Sequence, residues 1–436
     1  MFSTIGDAAR AIAAGEVSPL EVTEFCLARI EAVDDDLNAF LHVDAEGALA
    51  AATEATKRTG PRGSLFGIPF AVKDLIDVAG MPTTAASEVF ARNPAADAPV
   101  VARLRDAGAI VIGKTNLDPF AYGVFTEPTR NPWDRSLIPG GSSGGSAVAV
   151  AAGMSLGALG TDTAGSIRIP ASFCGVAGLK PRNGAVPVDG IVALSPSLDS
   201  CGPLARSVED LAVMWEAITG TTPAPVDAPR IGFAGDEVLG EMDPEIAGSY
   251  QAAIALLGEA GIELVEVELP DFSAWGRPAS YVLVNEALTV HRSAGWYPDR
   301  AERYTEEVLG NLRYAEDLPA EKLAAEIRPL DGLRAAFHDA LGGVSALLLP
   351  TTPLRAPSVE GISTDPKLRR KVTREVARFA TAVNCCSAAA VTIPWEVVDG
   401  LPVGIDAVSR TEATALGVAL RLEDLAPGVG VPPEGS

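Results

Sequence analysis

Gly140-Gly141-Ser142-Ser143-Gly144-Gly145-Ser146, followed after 14 intervening residues by Thr161-Asp162-Thr163-Ala164-Gly165-Ser166-Ile167-Arg168, is the stretch on which the reading of this chain turns. A Gly-Ser loop before an Ala-rich helix is what an ordinary turn looks like, and also what a phosphate cradle needs. No Gly-Lys-Ser/Thr ending follows, so a Walker A loop is excluded. The loop satisfies G-x-S-x-G twice, which raises a nucleophile elbow at Ser142 or Ser143. Such an elbow needs a hydrophobic strand directly before it. Residues 131–139, Asn-Pro-Trp-Asp-Arg-Ser-Leu-Ile-Pro, make a poor strand with two prolines.

Working outward, a serine hydrolase needs a base. The chain has only three histidines, His42, His291 and His338, all distant in sequence from these motifs. Lysine is the alternative if desolvation brings its pKa from about 10.4 toward 7–8. Lys73 follows the apolar run Gly67 to Val72 and is the lysine best placed for burial. A lysine there can also simply snorkel to the surface.

Composition narrows the classes. A 47% hydrophobic share with 21% charged residues supports a sizeable core. The formal net charge of −23 argues against a binder of nucleic-acid phosphates. The five cysteines (26, 174, 201, 385 and 386) are odd in number and contain no C-x-x-C, so buried thiols are expected rather than disulfides or zinc. The N-terminal residues lack the regions of a signal peptide. The uncharged run Ile138 to Gly160 is too rich in Gly and Ser for a membrane span. A cytoplasmic protein without a membrane partner is the expectation.

Val22, Cys26, Ile30 and Val33 follow helical spacing behind Ser18-Pro19-Leu20-Glu21, an N-cap with Pro at N1 and a capping-box Glu. Helices are also expected over about 44–57, after Val100, and from Ser207 with Asp210 at N3. A buried strand broken by Pro69 is read over 64–73, and further strands at 109–112, 230–234, 262–269, 345–349, 389–393 and 402–408. Alternating elements argue for a layered α/β domain with helices on both sheet faces. Residues 219–229, with three prolines, are the one candidate boundary, and 426–436 are expected to fray.

The set Lys73, Gly140–Ser146 and Thr161–Ala171 resembles the amidase signature family. Phe173-Cys174-Gly175, Gly178-Leu179-Lys180-Pro181, Ser197–Ser207 and Gly400-Leu401-Pro402-Val403-Gly404 continue the match. The spacing agrees too, with 69 residues from Lys73 to Ser142 and 24 from Ser142 to Ser166. The resemblance covers nearly the whole chain and is strongest over about 64–211. It implies a single large α/β domain spanning 1–436, with a mixed twisted β-sheet sandwiched by helices.

It also implies a Ser-cisSer-Lys triad. Ser166 would be the nucleophile, Ser142 (after a cis peptide bond from Gly141) the proton shuttle, and Lys73 the base. The backbone N–H groups of Thr163, Ala164, Gly165 and Ser166 would form the oxyanion hole. Ser143 and Asp162 would either support the relay or satisfy loop amides. Arg168 would orient a substrate carboxylate or pair with a structural one. Cys174 reads as core.

The function so implied is hydrolysis of a carboxylic amide through a Ser166 acyl-enzyme, on non-peptide C–N bonds. The alternative is the amidase subunit of a multi-subunit tRNA-dependent amidotransferase. Such subunits typically carry a Gly-Arg-Phe-Asp-Gly-Val-Arg-Tyr-Gly-like stretch, whereas Asn285 through Tyr304 reads differently here. No cofactor or metal is implied. The expected partner is a small-molecule amide with no nucleic acid, and self-association as a homodimer is left open. Departures from the family pattern are Ala164 where many relatives have Gly, Asp406 where Gln is frequent, and a short segment over 120–133 that leaves the substrate unnamed.

Overall fold

The computed structural model describes residues 2–59, 62–362 and 364–433. Eleven strands join in one sheet: β1 (Phe40–Val43), β2 (Pro69–Lys73), β3 (Ile110–Thr115), β4 (Gly157–Asp162), β5 (Ala177–Lys180), β6 (Ser200–Ala205), β7 (Arg230–Phe233), β8 (Glu263–Glu266), β9 (Ala346–Pro350), β10 (Ala389–Val398) and β11 (Leu401–Ser409). Their order is β1-β3-β2-β4-β6-β5-β10-β11-β9-β7-β8. β3, β2 and β4 run parallel, the central strands from β4 to β9 pair antiparallel, and β9, β7 and β8 are parallel again. The sheet is therefore mixed, and the chain is a single large α/β domain.

Local chemistry explains the elements. The expected capping box is formed: Ser18 accepts from the Glu21 amide, and Glu21 accepts from the Ser18 amide, opening the helix Pro19–Leu37. Ser207 caps Val208–Thr219 through the Asp210 amide. The strand read over 64–73 begins only at Pro69, because 64–67 form a turn. Proline is tolerated as the first residue of a strand, where its missing N–H costs least. β10 and β11 form a hairpin across Asp399-Gly400, both with positive φ (49° and 80°), as a two-residue turn matched to strand twist requires.

The strands packed centrally are buried on both faces, as in β2, β4, β6 and β9. The suspected boundary at 219–229 is not one, because the sheet runs continuously from residues before it to residues after it. Its Val226 amide donates to Gly417 O. Of the tail expected to fray, 434–436 lie outside the described residues, and 426–433 lie against the body through the Gly428 amide on Trp395 O. All five cysteines are buried and free. Among the described residues no helix is long and apolar enough to cross a membrane, and no cluster of His, Cys, Asp or Glu could hold a metal ion.

Candidate active site

Adjacent parallel strands β2 and β4 end side by side, which brings Lys73 to Thr161 and Asp162. The helix Gly144–Ala151 is entirely buried, and the loop before it lies over these strand ends. Lys73 is fully buried. Its Nζ lies 2.8 Å from Ser142 Oγ, 2.9 Å from Ser143 Oγ and 2.9 Å from Thr161 Oγ1. Three hydroxyls and no carboxylate surround the amine. Burial pushes its pKa down to about 7, although the charges of Asp118, Asp162 and Asp199 oppose the shift.

The two serines differ in what holds their protons. Ser143 Oγ donates to Thr161 O (3.1 Å) and accepts from the Thr161 amide, so its proton is committed to the strand. Ser142 Oγ has only Lys73 among the described residues. Of the two serine hydroxyls, its O–H is thus the one free to point at a neutral amine. The peptide Gly141–Ser142 is cis, as the resemblance implies.

Sequence reasoning did not single out Asp118, which is buried behind the loop. Its carboxylate accepts from the amides of Phe125 and Thr126 and from Thr126 Oγ1. Thr126 Oγ1 in turn accepts from the Gly144 amide. A Cβ at Gly141 would come 2.3 Å from Asp118 Oδ2, so only glycine fits there. Arg369 closes the arrangement from outside, 3.0 Å from Glu127 and 2.7 Å from Glu307, with its guanidinium 4.0 Å over the Phe125 ring. Asp118 lies three residues beyond β3, and in the sequence it looks like any solvated loop carboxylate.

Ser166 is buried yet opens on a cavity of about 620 Å³ that Thr163, Ala164, Tyr122 and Leu198 also line. Its carbonyl accepts from the Ser143 amide at 3.0 Å, which ties the two motifs together. The expected four-amide oxyanion hole needs one correction. Gly165 N–H donates to Asp162 Oδ1 at 2.8 Å and so is already used. The amides of Thr163, Ala164 and Ser166 have no acceptor among the described residues, and all three residues line the cavity. Gly165 is required for shape instead: its φ is +111°, and a Cβ would meet Ala380 at 2.7 Å.

Asp162 and Arg168 form a separate, fully buried cluster. Asp162 accepts from the amides of Gly165, Ile167 and Arg168, from the Arg168 side chain and from Asn384 Nδ2. Burial alone would raise its pKa, but the Arg168 charge and hydrogen bonds outweigh it and hold the carboxylate well below the usual range. Arg168 also donates to Ala380 O and Asn384 Oδ1 and lies 3.5 Å from Asp406. It is absent from the cavity wall, so the substrate-carboxylate role considered for it does not hold; it pairs with structural carboxylates. Asp406, where Gln is frequent, supplies one of them. Cys174 is core, its Sγ 3.4 Å from Pro139 O.

Asp199, also not singled out, accepts from Thr163 Oγ1 at 2.6 Å and from the amides of Leu194 and Ser195. Burial pushes its pKa up to about 6. It holds the side chain of Thr163, a residue of the cavity wall.

The amidase family model matches residues 21–413. A glutamyl-tRNA(Gln) amidotransferase subunit from Salinispora arenicola is 38% identical over 459 residues, with 92% of each chain covered. Among solved structures, one described as an amidase superposes with a TM-score of 0.89 at 33% identity, covering 97% of this chain and 100% of that one. The corresponding glutamyl-tRNA(Gln) amidotransferase subunit of Thermotoga maritima superposes with a TM-score of 0.82 at 28% identity, covering 99% and 98%.

These relatives overturn the expected partners, a small-molecule amide with no nucleic acid. Relatives matched along almost their whole length are named as one subunit of a glutamyl-tRNA(Gln) amidotransferase. Net charge misled because it bears only on phosphate binding by this chain's own surface. From the strand ends that carry Lys73 and Thr161 to the whole-length match, the observations agree: the chain is a member of the amidase signature family.

Proposed function

We propose that this chain is the amide-cleaving subunit of a glutamyl-tRNA(Gln) amidotransferase, with Ser166 as its nucleophile. The observation that carries the setting is the 38% identity to the Salinispora arenicola amidotransferase subunit over 92% of both chains. The chemistry follows from the buried amine among hydroxyls. With a pKa near 7, much of Lys73 is neutral at physiological pH and can accept a proton from Ser142. Ser142 takes the proton of Ser166 as its oxygen attacks the amide carbonyl. The developing oxyanion is met by the amides of Thr163, Ala164 and Ser166. Ser142 then returns a proton to the departing nitrogen, ammonia leaves, and water resolves the acyl-enzyme by the same relay in reverse.

Ammonia release from glutamine tests the setting, measured on the chain alone and after co-purification with its partner subunits. Cleavage only in the assembly is the expected result; equal cleavage by the chain alone would overturn it. The second reading is a stand-alone amidase. It is favoured by the divergent residues 285–304 and by the likeness to the solved amidase at a TM-score of 0.89. Either setting uses the same Ser166 chemistry, so labelling by a fluorophosphonate must fall on Ser166 in both.

A further inference from the structure

We infer that Glu286 is a positioning residue for the reaction: it holds the segment 194–199, and through Asp199 it fixes Thr163 in the cavity wall beside the nucleophile. The inference rests on the reading of Ser166 as nucleophile with Thr163 in its oxyanion hole, and adds a residue that the signature motifs do not contain. Glu286 stands on the helix Ser273–Ser293, in the stretch 285–304 that departs from the amidotransferase pattern.

Two carboxylates grip the segment. Asp199, at its end, accepts through one oxygen from the amides of Leu194 (2.9 Å) and Ser195 (3.0 Å), and through the other from Thr163 Oγ1 (2.6 Å). One oxygen of Glu286 accepts both from Ser195 Oγ at 2.7 Å and from the Ser197 amide at 3.0 Å. Ser195 is the shared point: its hydroxyl belongs to Glu286 and its amide to Asp199. Its carbonyl accepts from the amides of Leu198 and Asp199, both at 2.8 Å, which closes the turn. The two carboxylates are near enough to feel each other, since the Glu286 charge adds to burial in pushing the Asp199 carboxyl up. What offsets their repulsion is the set of N–H and O–H donors that the segment presents to each. Glu286 itself does not line the cavity, but Leu283 and Val284 just before it do, together with Leu194, Leu198 and Thr163. The helix that walls the substrate cavity is therefore also tied to the residue whose amide meets the oxyanion. A misplacement of about 1 Å at such a group can cost about a hundredfold in rate, so a strut that never touches substrate reaches the chemistry.

The test is the rate at which a small uncharged fluorophosphonate labels Ser166, read by mass spectrometry on the full chain, with partner subunits where the assembly forms. Glu286→Ala should lower the maximal labelling rate by about tenfold to a hundredfold and leave the half-saturating concentration unchanged, the split expected when a group that acts in the transition state is misplaced. Glu286→Gln should keep the rate within about threefold of the parent, because one carbonyl oxygen can accept both bonds. The decisive comparison uses Thr163→Val, which removes the hydroxyl held by Asp199 and keeps the amide. On that background Glu286→Ala should cost less than about twofold more, since residues that act through one another are not additive. If Glu286→Ala does not fold, Ser195→Ala, which removes only the hydroxyl held by Glu286, takes its place in the same cycle. An unchanged maximal rate, or a loss that multiplies in full on the Thr163→Val background, overturns the inference while the Ser166 reading stands. So does a loss as large in Glu286→Gln as in Glu286→Ala. No label on Ser166 overturns that reading and the inference with it.

Discussion

Lys73, at the end of β2, and Arg168, at the start of the helix Arg168–Cys174, are both fully buried basic side chains, yet their surroundings assign them opposite states. Lys73 faces three hydroxyls, which cannot compensate a charge, and its pKa falls to about 7. Arg168 faces Asp162 and Asp406 and stays charged. Burial is common to both; the partner decides. A buried cation with hydroxyl neighbours is poised to move a proton, whereas one with carboxylate neighbours is a fastener. Lys114, salt-bridged to Asp74, is a third buried cation of the fastener kind.

The contrast can be broken from either side. The largest effect belongs to Ser166→Ala, which should lower amide cleavage by about 10⁵–10⁶ and abolish fluorophosphonate labelling. Its melting temperature should stay close to that of the parent. A large loss of stability would place Ser166 among the fasteners instead.

Next is Lys73→Arg, which puts a permanent charge where a neutral amine is needed and should cost about 10²–10⁴ in kcat/KM. In the parent, kcat/KM should rise with pH and level off above about 7. The sign follows from the group: Lys73 acts as a base only when deprotonated, and burial lowers the pH at which that occurs. An activity that falls on raising the pH from 6 to 8 would remove Lys73 from the relay.

Asp162→Asn tests the fastener. Leaving Arg168 with one carboxylate fewer should cost about 3–5 kcal/mol of stability, measured by denaturant unfolding. The pH at which activity levels off should shift little by comparison. The smallest effect is expected for Asp118→Asn. Asp118 heads the charges that hold the Lys73 pKa up, so neutralising it should move the acid limb to lower pH, by less than about one unit. Loss of activity without any displacement of the limb would leave Asp118 a purely structural strut for the Ser142 loop.

Much of the site was legible because its residues are unusual for their positions. Lys73 ends an apolar run, and a loop of seven Gly and Ser residues precedes an Ala-rich helix. Asp118 and Asp199 were not legible, since a single aspartate beside a strand or turn looks like any solvated carboxylate. The roles of Ser143 and Asp162 were undecided for the same kind of reason, and distances divided them: Ser143 contacts the amine, and Asp162 gathers loop amides.

By itself the sequence determined the family, the capped helices and most strand positions, and it named the candidate reacting groups. Those follow from local pattern: period, caps, turn residues and motif spacing survive without knowledge of distant neighbours. Only the tertiary structure decided that Gly165 spends its amide on Asp162 and that Arg168 is matched by Asp406. Each depends on which groups from remote segments meet in the same dry volume, and desolvation and pairing are properties of that meeting rather than of any one residue.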